Sequence, residues 1–337
     1  MDEGFRPRRG LSRREFLGLA AAGAGMVVLG GCGSGGGGNQ GGVGQSYNLA
    51  LIVGVIGDEF YTSMGCGAKG EAKKLGASVK IQGPQQFDPS QQTPVVNAVI
   101  QSKPDAILIA PTDKSAMIGP IQSAVNQNIP VFTVDTFIAK PIALSHISSD
   151  NLEGGKLAAK ALADAIGKKG KVLCINVTPG ISTTDQRQQG FEEGLKKYPN
   201  VKYLGTQFCQ DDPTKAASIA SATLQSNPDL AGIFGANLFS GEGAASGVRQ
   251  VGKQDQVKIV TFDASPTQVR DLKQGNVDAL IAQHPNDIGK IGVKMAVDYL
   301  KTNKKPAKKT VKTGLSIVTR NNVSDPKISK YLYKAQC

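Results

Sequence analysis

The 337-residue chain contains no tryptophan, only two histidines (His146 and His284), and neither a CxxC pair nor a His-rich cluster. With so few ligands of the usual kind, neither a zinc centre nor another metal site is expected. Long apolar runs are missing too. The apolar stretch from Leu17 to Leu29 is rich in Gly and Ala and falls short of the roughly 20 residues a membrane-spanning helix needs. The 39 basic residues outnumber the 27 acidic ones and give a net charge of +12. They are scattered, however, and lack the aromatic-basic motifs of nucleic-acid binders, so no nucleic-acid partner is expected. The densest basic run, residues 301–312, is read as a solvated helix end and loop.

What is present begins at the N-terminus. "SRREFL" at 12–17 sets adjacent arginines before the short apolar stretch and looks like a twin-arginine export signal. "LGGC" at 29–32 resembles a bacterial lipobox, in which cleavage before Cys32 leaves its thiol to carry the lipid. Loss of residues 1–31 removes five Arg and three acids and leaves the mature chain at +10. Residues 33–46, "GSGGGGNQGGVGQS", form a flexible coil with an r.m.s. reach of roughly 20 Å, suited to tether a folded body to a membrane. An extracytoplasmic location permits disulfides. Cys66, Cys174, Cys209 and Cys337 allow three full pairings among which spacing does not choose, and Cys174 inside "KVLCINV" reads as a small buried residue.

The length and the 40% hydrophobic content suit two domains of ordinary size. From Tyr47 onward, short β-branched runs alternate with amphipathic stretches, the pattern of a parallel sheet covered by helices. Strands are predicted at 48–55, 78–82, 106–110, 130–135, 143–148, 171–177, 201–208, 230–236, 257–262, 278–283 and 314–320. Asp212-Pro213 and Ser265-Pro266 each offer an N-cap followed by Pro at the first helical position. Gly76 and Gly275 are placed to end helices.

An internal repeat relates "QSKPDAILIA" at 101–110 to "QSNPDLAGIFGA" at 225–236, and each is followed by a further strand ending in Asp, at Asp135 and Asp263. In open parallel sheets the loops at the carboxyl ends of strands line the ligand crevice, so two facing lobes would aim both carboxylates into one cleft. A single strand-end Asp would be read as a helix cap. Two at matching places favour a shared site.

Long segments in order, "LALIVGVIGDEFYTSMGCGAKGEAKKLG", "APTD", "SHISSDNLEGG", "FDASP" and "LIAQHPNDIG", resemble the periplasmic sugar-binding proteins of ABC importers, most closely the ribose-binding type. The resemblance implies an α/β fold of two Rossmann-like lobes with parallel sheets, joined by a three-strand hinge, the type I periplasmic binding protein fold. The lobes would comprise 47–149 plus 284–314 and 150–283 plus 315–337, with crossings near Ser149-Asp150, Gln283-His284 and Gly314. It further implies ligand-facing positions at Asp58, Phe60, Tyr61, Asp135 and Thr136 in the first lobe. From the second lobe and hinge it implies Arg187, Asp211, Asn237, Asp263 and Gln283. Carboxylates accept from sugar hydroxyls, Arg, Asn and Gln donate to them, and flat rings cover the C–H face. Relative to the ribose-binding pattern, Thr136 replaces an Arg, Asp211 an aromatic and Asp58 an Asn. These exchanges favour a neutral pentose, hexose or short sugar alcohol other than ribose.

The resemblance also implies a monomer without catalytic residues or cofactor, partnered by an ABC permease and its ATPase, or alternatively by a membrane signalling receptor. Two other readings compete. "GEGAASG" at 241–247, with Asp263 twenty residues beyond Gly243, imitates a dinucleotide fingerprint, but its spacing is GxGxxxG and its strand is five residues away. Its glycines are read as helix-packing positions. A sugar-responsive repressor would carry an N-terminal helix-turn-helix where this chain has its signal and Gly-rich linker.

Overall fold

The computed structural model describes residues 46–337; the export signal, Cys32 and all but the last residue of the linker lie outside the described residues. A first sheet takes β1 (Asn48–Ile52), β2 (Ser78–Gln82), β3 (Ala106–Ile109), β4 (Val131–Val134) and β5 (His146–Ser149). Between its strands run α1 (Glu59–Lys74), α2 (Pro89–Gln101) and α3 (Ile118–Asn126). After α4 (Asn151–Ala165), a second sheet takes β6 (Gly170–Asn176), β7 (Val201–Phe208), β8 (Leu230–Gly235), β9 (Lys258–Phe262) and β10 (Ala279–Gln283). Its helices are α5 (Ser182–Leu195), α6 (Pro213–Ser226), α7 (Leu238–Gln250) and α8 (Pro266–Gln274). Then come α9 (Pro285–Thr302), β11 (Thr310–Thr313), β12 (Leu315–Val318) and the short α10 (Pro326–Ser329).

The two sheets repeat one design. Their orders are β11-β5-β4-β3-β1-β2 and β12-β10-β9-β8-β6-β7, and every pairing is parallel except β10 with β12. In each, the strand order reverses beside the first strand, which opens a crevice at the carboxyl ends. β3 and β4 are buried along their whole length, as expected of strands covered on both faces. The chain changes sheet three times: after β5, after β10, and at Gly314 between β11 and β12.

The strand predicted at 314–320 is β12, and β11 just before it was not predicted. "TVKT" before Gly314 is a mostly exposed edge strand, and its setting among lysines makes it read as loop although a charged edge discourages further pairing. A side chain at Gly314 would press on the His284 ring, 2.8 Å from Cε1.

Local signals act as the sequence suggests. Asp212 accepts from Thr214 N, Ser265 and Gln268 form a reciprocal capping box, and Gly76 and Gly275 end their helices at φ 70° and 86°. Glycine then sets the helix packing. Three helix pairs, α1 with α9, α4 with α5 and α6 with α7, touch backbone to backbone, because a Cβ at Gly67, Gly289, Gly155, Gly190, Gly243 or Gly247 would overlap a carbonyl of the partner helix. Gly243 and Gly247 of the imitation fingerprint thus serve α6–α7 packing, with no dinucleotide turn. Cys66 pairs with Cys337, leaving Cys174 and Cys209 buried and free.

Gly190→Ala, whose Cβ would strike Leu152 O, should cost about 1–3 kcal/mol, read as a lower urea midpoint at unchanged slope. Gly70→Ala on the open face of α1, where nothing lies within 4 Å, should instead gain up to ~1 kcal/mol.

Candidate functional site

Asp135 and Asp263 follow β4 and β9, the equivalent strands of the two sheets. Both adopt the left-handed region, at φ 61° and 77°. Their backbone N–H groups donate to the next strand in the same way, Asp135 to Ile147 O (2.8 Å) and Asp263 to Ile281 O (3.0 Å). Neither caps a helix: no helix follows β4 within its sheet, and α8 is capped by Ser265. Non-glycine residues held left-handed at matching strand ends are sterically costly and gather at functional sites. The side chains are 5% and 4% exposed and line one cavity of about 40 Å³ between the sheets.

The same cavity is lined by Asp58, Phe60, Tyr61, Arg187, Asp211, Asn237 and Gln283. Asp58 caps α1 by accepting from Phe60 N (2.6 Å), which brings Phe60 and Tyr61 to the first turn. Gly54 makes room for Tyr61, since a Cβ there would overlap both the Tyr61 hydroxyl and Phe87. Asn237 caps α7 in a reciprocal box with Ser240 and donates to Asp211 Oδ1 (2.6 Å). Arg187 lies in the second turn of α5, its guanidinium 3.9 Å above the Phe262 ring. Its Nε donates to Asn151 Oδ1 and its Nη1 to Ala236 O, both at 2.9 Å, and Nη1 stands 4.0 Å from Asp263 Oδ2.

Four carboxylates therefore share the cavity with one guanidinium. Tyr61 donates to Asp135 Oδ2 (2.8 Å), while Tyr333 and Gln283 both donate to Asp263 Oδ1 (2.7 Å each). Burial pushes Asp135 up to about 6, with Arg187 and the Tyr61 bond opposing it. Burial likewise pushes Asp211 up to about 6, opposed by Asn237. Asp58 is held well above the carboxylate range by burial first, then by Asp263 and Asp211. Two further polar atoms at the wall, Gln283 Oε1 and Thr184 Oγ1, are buried without any hydrogen-bond partner. Such groups cost free energy until something satisfies them.

Thr136 behaves differently from the expectation. It follows a left-handed residue, is 1% exposed, and donates to Pro111 O (2.7 Å) inside the first lobe, so it does not line the cavity. Several wall residues had no motif to announce them: Phe87 after β2, and Val177, Ile181, Thr183 and Thr184 around the start of α5. At the cavity's lip the lobes touch through Lys114 Nζ to Asp185 Oδ2 (2.7 Å), Lys114 N to Gly180 O (3.1 Å) and Phe137 N to Ser182 Oγ (2.9 Å).

The family profile described as "Periplasmic binding protein domain" matches residues 49–305. The ribose import binding protein RbsB of Bacillus subtilis is 32% identical over 276 residues, 82% of this chain and 88% of that protein. Among solved structures, an ABC transporter solute binding protein from Agrobacterium vitis, bound with α-D-tagatopyranose, is 46% identical with a TM-score of 0.84, covering 86% of this chain and 99% of the other. A carbohydrate transporter solute binding protein from Agrobacterium radiobacter, in complex with D-arabinose, is 30% identical with a TM-score of 0.81, covering 85% and 99%. These relatives are substrate-binding proteins of transport systems and not enzymes. Two sheets of one strand order, facing strand-end carboxylates and this extent of likeness agree: the chain belongs to the periplasmic binding protein domain family, as a sugar-binding protein of type I.

Proposed function

We propose that this chain is the extracytoplasmic substrate-binding lipoprotein of an ABC importer. It traps one neutral monosaccharide or small sugar alcohol between its lobes and delivers it to a membrane permease coupled to an ATPase. In this reading the twin-arginine signal exports it, Cys32 carries the lipid, and the Gly-rich coil gives the folded body its reach. No bond is made or broken.

One observation carries the proposal: the cavity holds four carboxylates against one guanidinium, with Gln283 Oε1 and Thr184 Oγ1 left without partners. That is an excess of acceptors, and a polyol supplies donors without adding charge. Asp135, Asp263, Asp58 and Asp211 accept from hydroxyls, the remaining guanidinium and amide N–H groups of Arg187 and Asn237 donate back, and Phe60 and Phe87 cover the C–H face. An anionic ligand would meet like charge. The enclosed space is small, about 40 Å³, which disfavours any guest larger than a single sugar unit. The 46%-identical relative carries α-D-tagatopyranose and another carries D-arabinose, so a ketohexose is the first candidate and a pentose the second. Asp58 and Asp211 mark the departure from the ribose pattern; Thr136, turned into the first lobe, does not. A ligand that touches both lobes only when they meet shifts the population toward the closed form, where the Lys114–Asp185 contact is made.

A thermal-shift panel of D-tagatose, other ketohexoses, D-arabinose, D-ribose and sugar alcohols should raise the melting temperature with at least one neutral sugar; no response across the panel would end the sugar reading. Asp135→Asn and Asp263→Asn should each weaken calorimetric binding by about 1–3 kcal/mol.

Acid should separate stability from affinity. Asp135 and Asp211 have folded values near 6 against an unfolded value of about 3.9. At these two groups the ligand-free fold binds more protons than the unfolded chain between those limits, so their contribution to stability rises as pH falls through 6. Ligand hydroxyls favour the ionised acceptors, so affinity falls over the same range. Burial lowers His146 to about 4 and lowers His284 as well, which works the other way, so the aspartate contribution is read as a difference: from pH 7 to pH 5 the sugar-free melting temperature of the wild type should gain on that of an Asp135→Asn variant, while the increment added by sugar shrinks.

A further inference from the structure

The C-terminal tail crosses the cleft. After β12 it turns through Thr319–Asn322, where Asn322 Nδ2 donates to Ile317 O (3.0 Å), and forms α10 on the second lobe. Tyr331 then stacks on His284, with ring centroids 3.3 Å apart. Gly314 lies against the edge of the same ring, so the tail packs on the second inter-lobe crossing, which itself touches the third. The next steps change lobe between consecutive residues: Tyr333 N donates to Ala264 O of the second lobe (3.0 Å), and Lys334 N donates to Ser63 Oγ of α1 in the first (2.8 Å). Cys337 is then bonded to Cys66, also on α1.

Tyr333 is 5% exposed. Its ring meets Phe60 edge to face at 5.9 Å, and its hydroxyl donates to Asp263 Oδ1 while accepting from Gln283 N (3.1 Å). It joins a first-lobe wall of the cavity to the second-lobe carboxylate without lining the cavity itself. The family profile ends at residue 305, well before these contacts.

We propose that residues 330–337 are a covalently fastened strap across the lobes, in which Tyr333 positions Asp263 and the Cys66–Cys337 disulfide limits how far the cleft opens. From Tyr333, held to the second lobe, to Cys337, fixed on the first, there are four residues, which span at most roughly 14 Å when extended. A hinge motion that separates Ala264 from Cys66 further must break the disulfide or pull Tyr333 from its seat. A dithiol supplies two electrons and two protons, the Sγ–Sγ bond is replaced by two thiols, and the dithiol becomes a cyclic disulfide. Cys337 is exposed to such a reagent.

The strap is tested on ligand-free protein by small-angle scattering before and after dithiothreitol, and on a Cys66→Ala/Cys337→Ala variant. The radius of gyration should increase on reduction and in the variant, while dithiothreitol leaves the variant unchanged. An unaltered radius in both would overturn the limit on opening. This readout uses no sugar, so its failure is distinct from failure of the sugar reading on which the Tyr333 role rests. For that role, Tyr333→Phe keeps the disulfide and should lower affinity about fivefold to tenfold for D-tagatose, or for whichever panel sugar gives the largest shift. In an Asp263→Asn background the same change should add nothing further. Wild-type affinity in Tyr333→Phe, or full additivity with Asp263→Asn, would overturn it.

Discussion

Buried negative charge without matching positive charge is the constraint around which the molecule is arranged. Asp58, Asp135, Asp211 and Asp263 are enclosed between two sheets with Arg187 as the cation beside them. A charge taken out of water is costly unless it is hydrogen-bonded or paired. The chain answers with neutral donors: Tyr61 on Asp135, Asn237 on Asp211, and Tyr333 with Gln283 on Asp263. Each donor uses one carboxylate oxygen. The second oxygen of Asp263 stands 4.0 Å from Arg187 Nη1, and this incomplete compensation is what a hydroxyl-bearing guest can finish.

That geometry depends on helix packing some distance away. Arg187 is held where it is because α4 and α5 meet at Gly155 and Gly190, and the atom nearest a Cβ on Gly155 would be the carbonyl of Arg187 itself. Backbone contact leaves little slack along α5, so the guanidinium arrives over the Phe262 ring with two of its donors committed to Asn151 and Ala236 and the rest free for a guest. Such pre-organisation lowers the ordering cost at binding. The same device, a glycine on each helix or two on one, recurs in α1–α9 and α6–α7.

Much of this was legible in the sequence. Strand and helix order followed from β-branched runs alternating with amphipathic stretches, and the repeat that paired Asp135 with Asp263 pointed to the cleft because equivalent strand ends must face each other when equivalent lobes do. Thr136 was misread: its neighbour's left-handed backbone turns it toward Pro111, and no residue pattern encodes that rotation. Phe87 and Tyr333 were not found because they reach the site from a loop and a tail with no periodicity. The choice of Cys66 with Cys337 depends on where a tail lands after two lobes have been built, a long-range outcome that local spacing does not carry.

The pairing of Cys66 with Cys337 spans 271 residues, so nearly all of the folded body lies inside one covalent ring. Only β1 and the start of α1, among the strands and helices described, precede it. A single cut by a protease in any loop between those two cysteines opens the ring without releasing a fragment. The pieces stay joined through sulfur and remain at each other's effective concentration, and separation requires a second cut or a reductant.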